Sequence, residues 1–589
     1  MNILRSLAFT FALMLGFSTL VNAAANNIAP DLLAMNPATV VEAIVQYTSP
    51  PSAAEVSAVA TLGGKVNIQF KVIHALAVTL PVSSLEVLAK DLNIVYISPD
   101  RVVKKALDYA EPTINALTAF ENGYDGTGIG IAIIDSGITD HPDLHDARGN
   151  SRVVYNQDFT MPAVSAVSAW WGSRTDAYGH GDHVAGILAG NASESVGPLY
   201  THTFRGIAPN ANLISLKVLD ANGAGTDSEV IWALETAIRL KGMFNIRVIN
   251  LSLGRPVAES YTMDPLCQAA EQAWLAGIVV VAAAGNDGRD NTFGTDGYGT
   301  ITAPGNDPLV ITVGGMKDQR TLTRSDDTIA SYSSKGPTLI DHVVKPDVVA
   351  PGNRIISLLS TGSTLVTTYP ANIVPLSYYE NTTSKANSPY YFTLSGTSMA
   401  SPMVAGTAAL MLQKDPTLTP DTIKARLMKT ATKNFPAISI VTDPTTGITY
   451  TSQYDIFTIG AGYIDSWAAL NDNDKATGIA ASPIAIYNSK TGNVYVVNAN
   501  TALWGSTALW GSTALWGSTA LWGSSVWVNS STALWGSTAL WGSTALWGSA
   551  THNGAPVSGF TALWGSTALW GSTTGDTSET LPITITGEN

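Results

Sequence analysis

Short apolar runs alternate with segments of helical spacing between about residues 109 and 470. A strand that is apolar along its whole length is typical of a parallel sheet whose two faces are both covered. The pattern therefore predicts an α/β fold with a doubly wound, mostly parallel sheet and helices on both faces. In such folds the functional groups gather at the carboxyl ends of the strands. The apolar runs span residues 129–134, 213–219, 248–253, 278–284 and 310–313.

The chain upstream of this region has a different pattern. Residues 40–47 are rich in β-branched side chains, residues 66–70 alternate between apolar and polar, and residues 82–92 have helical spacing. Two strand–helix–strand passes in so short a segment predict a small α+β sandwich over residues 24–108. Taken alone, this module fits a binding domain of any kind.

The first 23 residues have the pattern of a secretory signal peptide. Arg5 precedes an apolar stretch over residues 7–20, and Val21-Asn22-Ala23 is a small-x-small cleavage pattern. The alternative is an uncleaved membrane anchor, for which about 18 or more apolar residues are needed. Cleavage after Ala23 is the favoured interpretation, so we expect a secreted or cell-surface protein.

The chain beyond residue 470 ends in a repeat. Residues 471–500 form a linker with short strands, Thr-Ala-Leu-Trp-Gly-Ser occurs nine times over residues 501–572, and residues 573–589 form a tail. A six-residue period scatters the tryptophans around a helix but keeps them on one face of a strand. The array is therefore either a stacked β-solenoid or disordered. Its tryptophans suggest surface attachment or self-association.

The net charge and the cysteine count exclude some classes of binding partner and of structural site. Among 589 residues, 31 Lys and Arg face 45 Asp and Glu, which gives a net charge of −14. Such a balance offers no electrostatic footprint for nucleic acid. Cys267 is the one cysteine, which excludes an intrachain disulfide and a multi-cysteine zinc site.

Three segments of the central region supply residues for nucleophilic catalysis. Asp135 directly follows the apolar run 129–134, which places a carboxylate at the end of a buried strand. His180 begins the segment His-Gly-Asp-His-Val-Ala-Gly, near a predicted helix start. Ser398 lies in Gly-Thr-Ser-Met-Ala-Ser-Pro, where glycine allows a close approach and a helix begins.

These residue types match the three roles that activate a serine. The hydroxyl is a weak nucleophile until a base takes its proton, and a carboxylate must hold that base in one tautomer. Ser398, His180 and Asp135 supply these roles in turn. Asn286, just past the apolar run 278–284, offers an amide donor for the oxyanion, and the backbone N–H of Ser398 is the second donor.

With these motifs the chain resembles the subtilisin-like serine peptidases, the subtilases. The resemblance rests on the order Asp, His, Ser and on four segments: Asp-Ser-Gly after an apolar strand, His-Gly-x-His-Val-Ala-Gly, Ala-Ala-Gly-Asn and Gly-Thr-Ser-Met-Ala-Ser-Pro. It covers residues 109–470 and implies a serine endopeptidase made as a self-processed zymogen. Residues 24–108 then resemble the propeptide of such enzymes, which acts as an intramolecular inhibitor and folding aid.

The resemblance also implies how a polypeptide substrate binds. Segments 223–225 and 252–254 match those that pair with an extended peptide like added strands. The small residues 282–285 match the wall of the first specificity pocket. The implied substrate-binding residues are Ser252, Leu253, Gly254, Gly223, Gly225, Ala283 and Gly285.

Two further residues bear on ions and pH. Asp143, in His-Pro-Asp-Leu, resembles a carboxylate that binds a structural calcium ion in some relatives, although the chemistry itself requires no cofactor. Asp182 stands where the family usually has threonine, two residues after the presumed base. A carboxylate there either raises the pKa of His180 or is a capping residue without influence.

A function of another class stays open. The central region could serve as a scaffold or adhesin without hydrolytic activity, in which the tryptophan array is the working part. The intact set of catalytic residues argues against this alternative.

Overall fold

A computed structural model describes most of the chain outside the first residues and the repeats. The described residues are 27–28, 30–33, 35–69, 74–99, 106–107, 110–160, 175–291, 294–444, 446–488, 493–497, 526–528, 551–552, 555–556 and 587–588. The predicted signal peptide and the hexapeptide repeats lie outside them. The chain divides into two compact units, Met1–Lys104 and Lys105–Asn589.

The first unit is a four-stranded antiparallel sheet with helices packed against it. Its strands are β1 (Val40–Tyr47), β2 (Lys65–Gln69), β3 (Ala75–Pro81) and β4 (Ile94–Pro99), in the order β2-β3-β1-β4. Its helices are Pro30–Leu33, Ala53–Thr61 and Val82–Leu88. Ser52 and Glu55 begin the second helix with a reciprocal capping box, which satisfies backbone donors that have no partner inside the helix.

The second unit contains a sheet of eight strands. Its strands, in spatial order, are β13 (Thr328–Ile329), β12 (Ile311–Lys317), β11 (Val279–Ala283), β10 (Ile246–Leu251), β6 (Gly130–Asp135), β9 (Asn212–Lys217) and β7 (Val153–Asp158), with β14 (Val348–Pro351) beside β12. The central strands are parallel to one another, and only the short edge strand β13 is antiparallel to its neighbour. The other strands of this unit are β5 (Ala106–Leu107), β8 (His202–Thr203), β15 (Ile355–Leu358), β16 (Ile373–Pro375), β17 (Asn387–Leu394), β18 (Ile438–Thr442), β19 (Thr449–Gln453), β20 (Ile484–Asn488), β21 (Asn493–Val497), β22 (Val526–Val528), β23 (Thr551–His552) and β24 (Ala555–Pro556).

Two pairs of helices cover this sheet. The helices His180–Ala189 and Thr397–Lys414 pack on each other and on the sheet, and Asp227–Phe244 and Pro265–Leu275 form a second such pair. Every residue of β6 and β11 is buried, which explains why both strands read as continuous apolar runs. The remaining helices are Ala110–Thr113, Ala116–Glu121, Thr364–Thr368, Leu376–Tyr379, Pro420–Thr430 and Ser466–Asn471, with 3₁₀ turns at Pro142–Leu144 and Pro370–Asn372.

The fold predicted for the central region, an α/β fold with a doubly wound, mostly parallel sheet, is confirmed. The predicted apolar runs coincide with β6, β9, β10, β11 and β12 to within a few residues. Among the helices of the described ranges, none is long and apolar enough to cross a bilayer.

Candidate active site

Asp135 is the last residue of β6, and its side chain is fully buried. Its Oδ1 accepts hydrogen bonds from the Ser136 backbone N–H at 2.7 Å and from His180 Nδ1 at 2.8 Å. A carboxylate buried in this way needs such donors, because an unpartnered charge is costly in the interior. The bond also holds the His180 ring with Nδ1–H toward Asp135, which leaves the Nε2 lone pair for another partner.

His180 is the first residue of its helix. Gly179 precedes it at φ 102°, in the left-handed region that favours glycine, and a side chain there would collide with Ser363. Asp176 fixes this turn, because its carboxylate accepts from the backbone N–H groups of Gly179 at 2.7 Å and Asp182 at 2.8 Å. The helix start therefore aims the imidazole at Asp135.

The charge of Asp135 shifts the titration of His180. Burial alone lowers the pKa of His180, but the charge and hydrogen bond of Asp135, with a further contribution from the charge of Asp176, raise this pKa above its ordinary value. A charged imidazole is therefore favoured beside Asp135, as a base that receives a proton requires.

Ser398 is the second residue of the helix Thr397–Lys414. Gly396, at φ 142°, makes the turn from β17 into that helix. Ser398 Oγ donates to the carbonyl oxygen of Ser252 at 3.1 Å rather than to His180, while Ser398 and His180 line the same cleft. Catalytic hydrogen bonds are often loose before substrate binds, so this conformation is compatible with the predicted role.

Asn286 reaches the same cleft with its amide oriented. Its Oδ1 accepts from the Thr397 backbone N–H at 2.9 Å and from Thr397 Oγ1 at 3.1 Å. Because the oxygen is engaged, Nδ2 is the group left to donate, and a Cβ built on Gly396 would lie 3.3 Å from it. The amide N–H is thus held beside the turn that leads to Ser398.

Most of the predicted substrate-binding residues line this cleft. They are Gly223, Gly225, Ser252, Leu253 and Gly254. Ala283 and Gly285 are not brought to it. Ala283 is buried inside β11, and Gly285 exchanges hydrogen bonds with Thr397 through both its N–H and its carbonyl.

Tyr178, Leu365 and Arg255 are among the other side chains of the cleft that sequence reasoning missed. The ring of Tyr178 lies so close to Gly223 that any side chain at this glycine would collide with it. The Leu365 N–H donates to the Tyr178 carbonyl oxygen at 3.0 Å, which ties the long segment before Ser398 to the cleft. The length of residues 357–392 was the available signal for Leu365.

Arg255 lines the cleft as part of an ion-pair group. It contacts Asp227 and Asp264, each at 2.8 Å. Asp227 also lines the cleft, so its carboxylate partly neutralises the positive charge that Arg255 presents to a substrate. Nothing in the local sequence pattern identifies this pairing, since the three residues are distant along the chain.

Of the two alternatives for Asp182, an influence on the pKa of His180 or none, the structure favours the second. Its carboxylate is buried and accepts from the Thr139 N–H at 2.6 Å. Burial and the nearby charge of Asp176 raise the pKa of Asp182 well above its ordinary value, which favours the neutral form of the group. The charge of Asp176, together with that of Asp135, raises the pKa of His180.

Asp143 does not fit a calcium ion. Its Oδ1 accepts from Ser193 Oγ and from the Glu194 N–H, both at 2.9 Å, and its Oδ2 accepts from the Tyr391 hydroxyl at 2.8 Å. Calcium needs six to eight oxygen ligands, whereas here both carboxylate oxygens face hydrogen-bond donors. Within the part of the chain that the structure describes, no group of three or more His, Cys, Asp or Glu side chains is placed to hold a metal.

Comparison with known proteins points to one family. The sequence profile of the Subtilase family matches residues 126–446. The serine protease AprX of Bacillus subtilis strain 168 is 37% identical over 382 residues, which cover 62% of this chain and 76% of AprX. Subtilisin E of the same organism is 34% identical over 385 residues, covering 65% and 81% of the two chains. An alkaline protease of Alkalihalobacillus alcalophilus is 32% identical over 384 residues, covering 64% and 80%.

Proposed function

We propose that in this chain, which belongs to the subtilase family of serine endopeptidases, Asp135, His180 and Ser398 form the catalytic triad. The observation that carries the proposal is the 2.8 Å bond between His180 and Asp135 at the edge of a cleft that Ser398 also lines. The position of Asp135 at the end of β6 and the cleft that His180 and Ser398 share further support the proposal.

In the first step Ser398 Oγ attacks the carbonyl carbon of the scissile bond while His180 Nε2 takes its proton. The resulting imidazolium is stabilised by Asp135, which remains ionised. His180 then protonates the leaving amine, the C–N bond breaks, and an acyl group stays on Ser398. Water, deprotonated by His180, hydrolyses this ester and restores the serine.

A side-chain rotation of Ser398 precedes this attack. Its hydroxyl must leave the Ser252 carbonyl oxygen, where it donates at 3.1 Å, and turn toward His180. The backbone stays in place during this movement, because Ser252 Oγ donates to the Ser398 carbonyl oxygen at 2.7 Å.

The oxyanion of the tetrahedral intermediate is bound by Asn286 Nδ2 and the Ser398 backbone N–H. The bonds from Thr397 to Asn286 Oδ1 support this assignment, because they hold the amide in one orientation before substrate arrives. Donors placed in advance stabilise developing charge without reorganising, which is the largest single contribution in many enzymes.

The substrate is an extended polypeptide. Segments 223–225 and 252–254 both line the cleft, whose volume is about 430 Å³. Backbone groups on such segments pair with a peptide as an added strand would, so an unfolded chain is the form that binds.

The zymogen assignment and secretion belong to the same proposal. Residues 1–23 act as a signal peptide, residues 24–108 as an inhibitory propeptide that self-cleavage removes, and residues 109–470 as the peptidase domain. The compact sheet of the first unit, with its own apolar core, supports a separately folding propeptide. Linker 471–500, repeats 501–572 and tail 573–589 complete the chain.

Kinetics of three variants test the assignment. We expect Asp135→Asn to lower kcat by about 10⁴-fold and Asn286→Ala by about 10²- to 10³-fold, with KM little changed in both. Ser398→Ala keeps its unprocessed mass if the propeptide is removed by self-cleavage. Wild-type kcat in Asp135→Asn would overturn the triad, whereas normal processing in Ser398→Ala would overturn self-cleavage alone.

A further inference from the structure

Glu588, far along the chain from the peptidase domain, has its side chain buried inside that domain. The residue is 2% exposed. Its Oε1 lies 3.0 Å from Arg289 Nη2, accepts from the Ser331 N–H at 2.9 Å and accepts from Ser331 Oγ. A carboxylate enters such a place only where donors replace its water.

The backbone of the same residue is held as well. The Glu588 N–H donates to Asn353 Oδ1 at 2.8 Å, and Asn353 Nδ2 donates to the Glu588 carbonyl oxygen at 3.1 Å. This reciprocal pair is what one strand makes with another, here supplied by a side-chain amide. Side chain and backbone are thus recognised together.

Gly587 fits the site for a steric reason. Its φ is +73°, and a Cβ there would collide with Arg354 and crowd Ser395 and Asn353. A Gly-Glu pair meets both requirements of the site, a left-handed turn and a carboxylate beside it.

Arg289 is built to receive two carboxylates. Its side chain is 3% exposed, its Nη1 contacts Asp443 at 2.6 Å, and its plane lies over the ring of Tyr450 at 4.5 Å. Asp443 and Tyr450 keep the guanidinium in place, and Glu588 fills the remaining side of it. Removal of Glu588 leaves buried donors without a partner, which is costly.

The chain before the repeats is attached to the same domain at another place. The Ala485 N–H donates to the His342 carbonyl oxygen, and the Val344 N–H donates to that of Pro483, both at 2.8 Å. These bonds place the beginning of β20 against residues 342–344, whereas Glu588 lies against residues 289, 331 and 353.

We propose that Arg289, Ser331 and Asn353 form a carboxylate-binding site for the chain's own Gly587-Glu588 segment, which attaches the chain to the peptidase domain a second time, after the repeats. Its ligand class is an acidic residue preceded by glycine. The inference concerns attachment and does not depend on the catalytic assignment.

Hydrogen–deuterium exchange on the full chain tests the site. A Ser398→Ala background keeps all variants unprocessed. Glu588→Gln removes the charge with little change in shape, and Gly587→Ala adds the Cβ that the site cannot hold. We expect both to speed exchange in the peptide that contains Ser331 at least 10-fold and to lower Tm.

Matched controls lie in the same tail. Glu579→Gln repeats the charge change and Gly575→Ala repeats the added methyl, both outside the Gly587-Glu588 segment that the proposal concerns. Both controls should exchange like the parent. Exchange at Ser331 that stays at the parental rate in Glu588→Gln and Gly587→Ala would overturn the proposal, as would equal acceleration in the controls.

A double-mutant cycle gives a second, independent measurement. Residues in contact show non-additive effects, so Asn353→Ala should lower Tm by clearly less in a Gly587→Ala background, where the added Cβ displaces the Glu588 backbone, than in the parent. Equal losses in the two backgrounds would mean that the residues do not meet in solution and would contradict the site.

Discussion

The residues around His180 show which parts of a catalytic site follow from sequence. Asp135 was predictable because an apolar run ended in a carboxylate, and Ser398 because glycine and a helix start surrounded it. The second charge that acts on His180 was not predictable, since both Asp176 and Asp182 lie within four residues of it in sequence. Only the folded turn shows that Asp182 accepts from Thr139 and that the Asp176 charge acts on the imidazole.

This difference between the two carboxylates predicts two pH profiles. His180 must be neutral to act as base, so kcat/KM rises with pH through its pKa. Asp176→Asn removes a charge that raises this pKa, and the acidic limb should move to lower pH. Asp182→Asn should leave that limb in place, because burial favours the neutral form of Asp182 and its charge is not among those that raise the pKa of His180. An acidic limb that moves in Asp182→Asn and stays in place in Asp176→Asn would contradict this prediction.

Stability of the Asp182→Asn variant provides a second readout. In the unfolded chain Asp182 ionises at about pH 4, whereas burial and the charge of Asp176 raise its pKa in the folded chain. The contribution of Asp182 to the free energy of unfolding of wild type is therefore fully present below about pH 4. It is lost progressively as pH rises toward the pKa that Asp182 has in the folded chain. The Tm of Asp182→Asn relative to wild type should increase from pH 4 to pH 7.

At the scale of elements, sequence periodicity identified the central strands because each is buried on both faces. It did not identify how the segment after β12 joins the core. Asp347 accepts from Lys345 Nζ at 2.7 Å, lies 3.2 Å from Lys424 Nζ and accepts from Ser482 Oγ at 2.5 Å. One buried carboxylate thus links three separate parts of the chain, a relation that no local pattern contains.

Asp347→Asn should therefore destabilise the peptidase domain strongly. Burial raises the pKa of Asp347, but the two lysine charges hold it below its ordinary value, and burial lowers the pKa of Lys424 to about 7. Removal of the shared carboxylate leaves two buried ammonium groups unpaired, at about 3–5 kcal/mol in the free energy of unfolding by urea. Asp474→Asn, at the exposed end of the Lys429 ion pair, is the control and should cost less than about 1 kcal/mol.

The hydrogen bonds of Asp143, in the segment Pro142–Leu144, allow the calcium hypothesis to be tested. Tyr391→Phe removes the donor to Asp143 Oδ2 and leaves a buried carboxylate oxygen without a partner, which should cost about 1–3 kcal/mol in thermal unfolding. Added calcium should not restore the loss, since the Ser193 and Glu194 donors remain aimed at the other oxygen. Full recovery with calcium would show that the carboxylate takes a cation after all.

At the scale of the whole molecule, the sequence separated a strand-rich first unit from the α/β domain because their periodicities differ. It did not suggest that Gly587-Glu588 returns to that domain, because a lone acidic residue in a tail has no pattern to distinguish it. The His180–Asp135 bond and the Ser331–Glu588 bond both join residues more than 40 positions apart.

The most direct test of the central claim is labelling of the full chain with a fluorophosphonate, followed by identification of the modified residue by mass spectrometry. The account predicts a single adduct on Ser398, which is lost in His180→Ala because the hydroxyl then has no base. Absence of labelling in wild type, or an adduct that persists without the imidazole, would show that Ser398 is not activated and would contradict the serine peptidase mechanism proposed for this site.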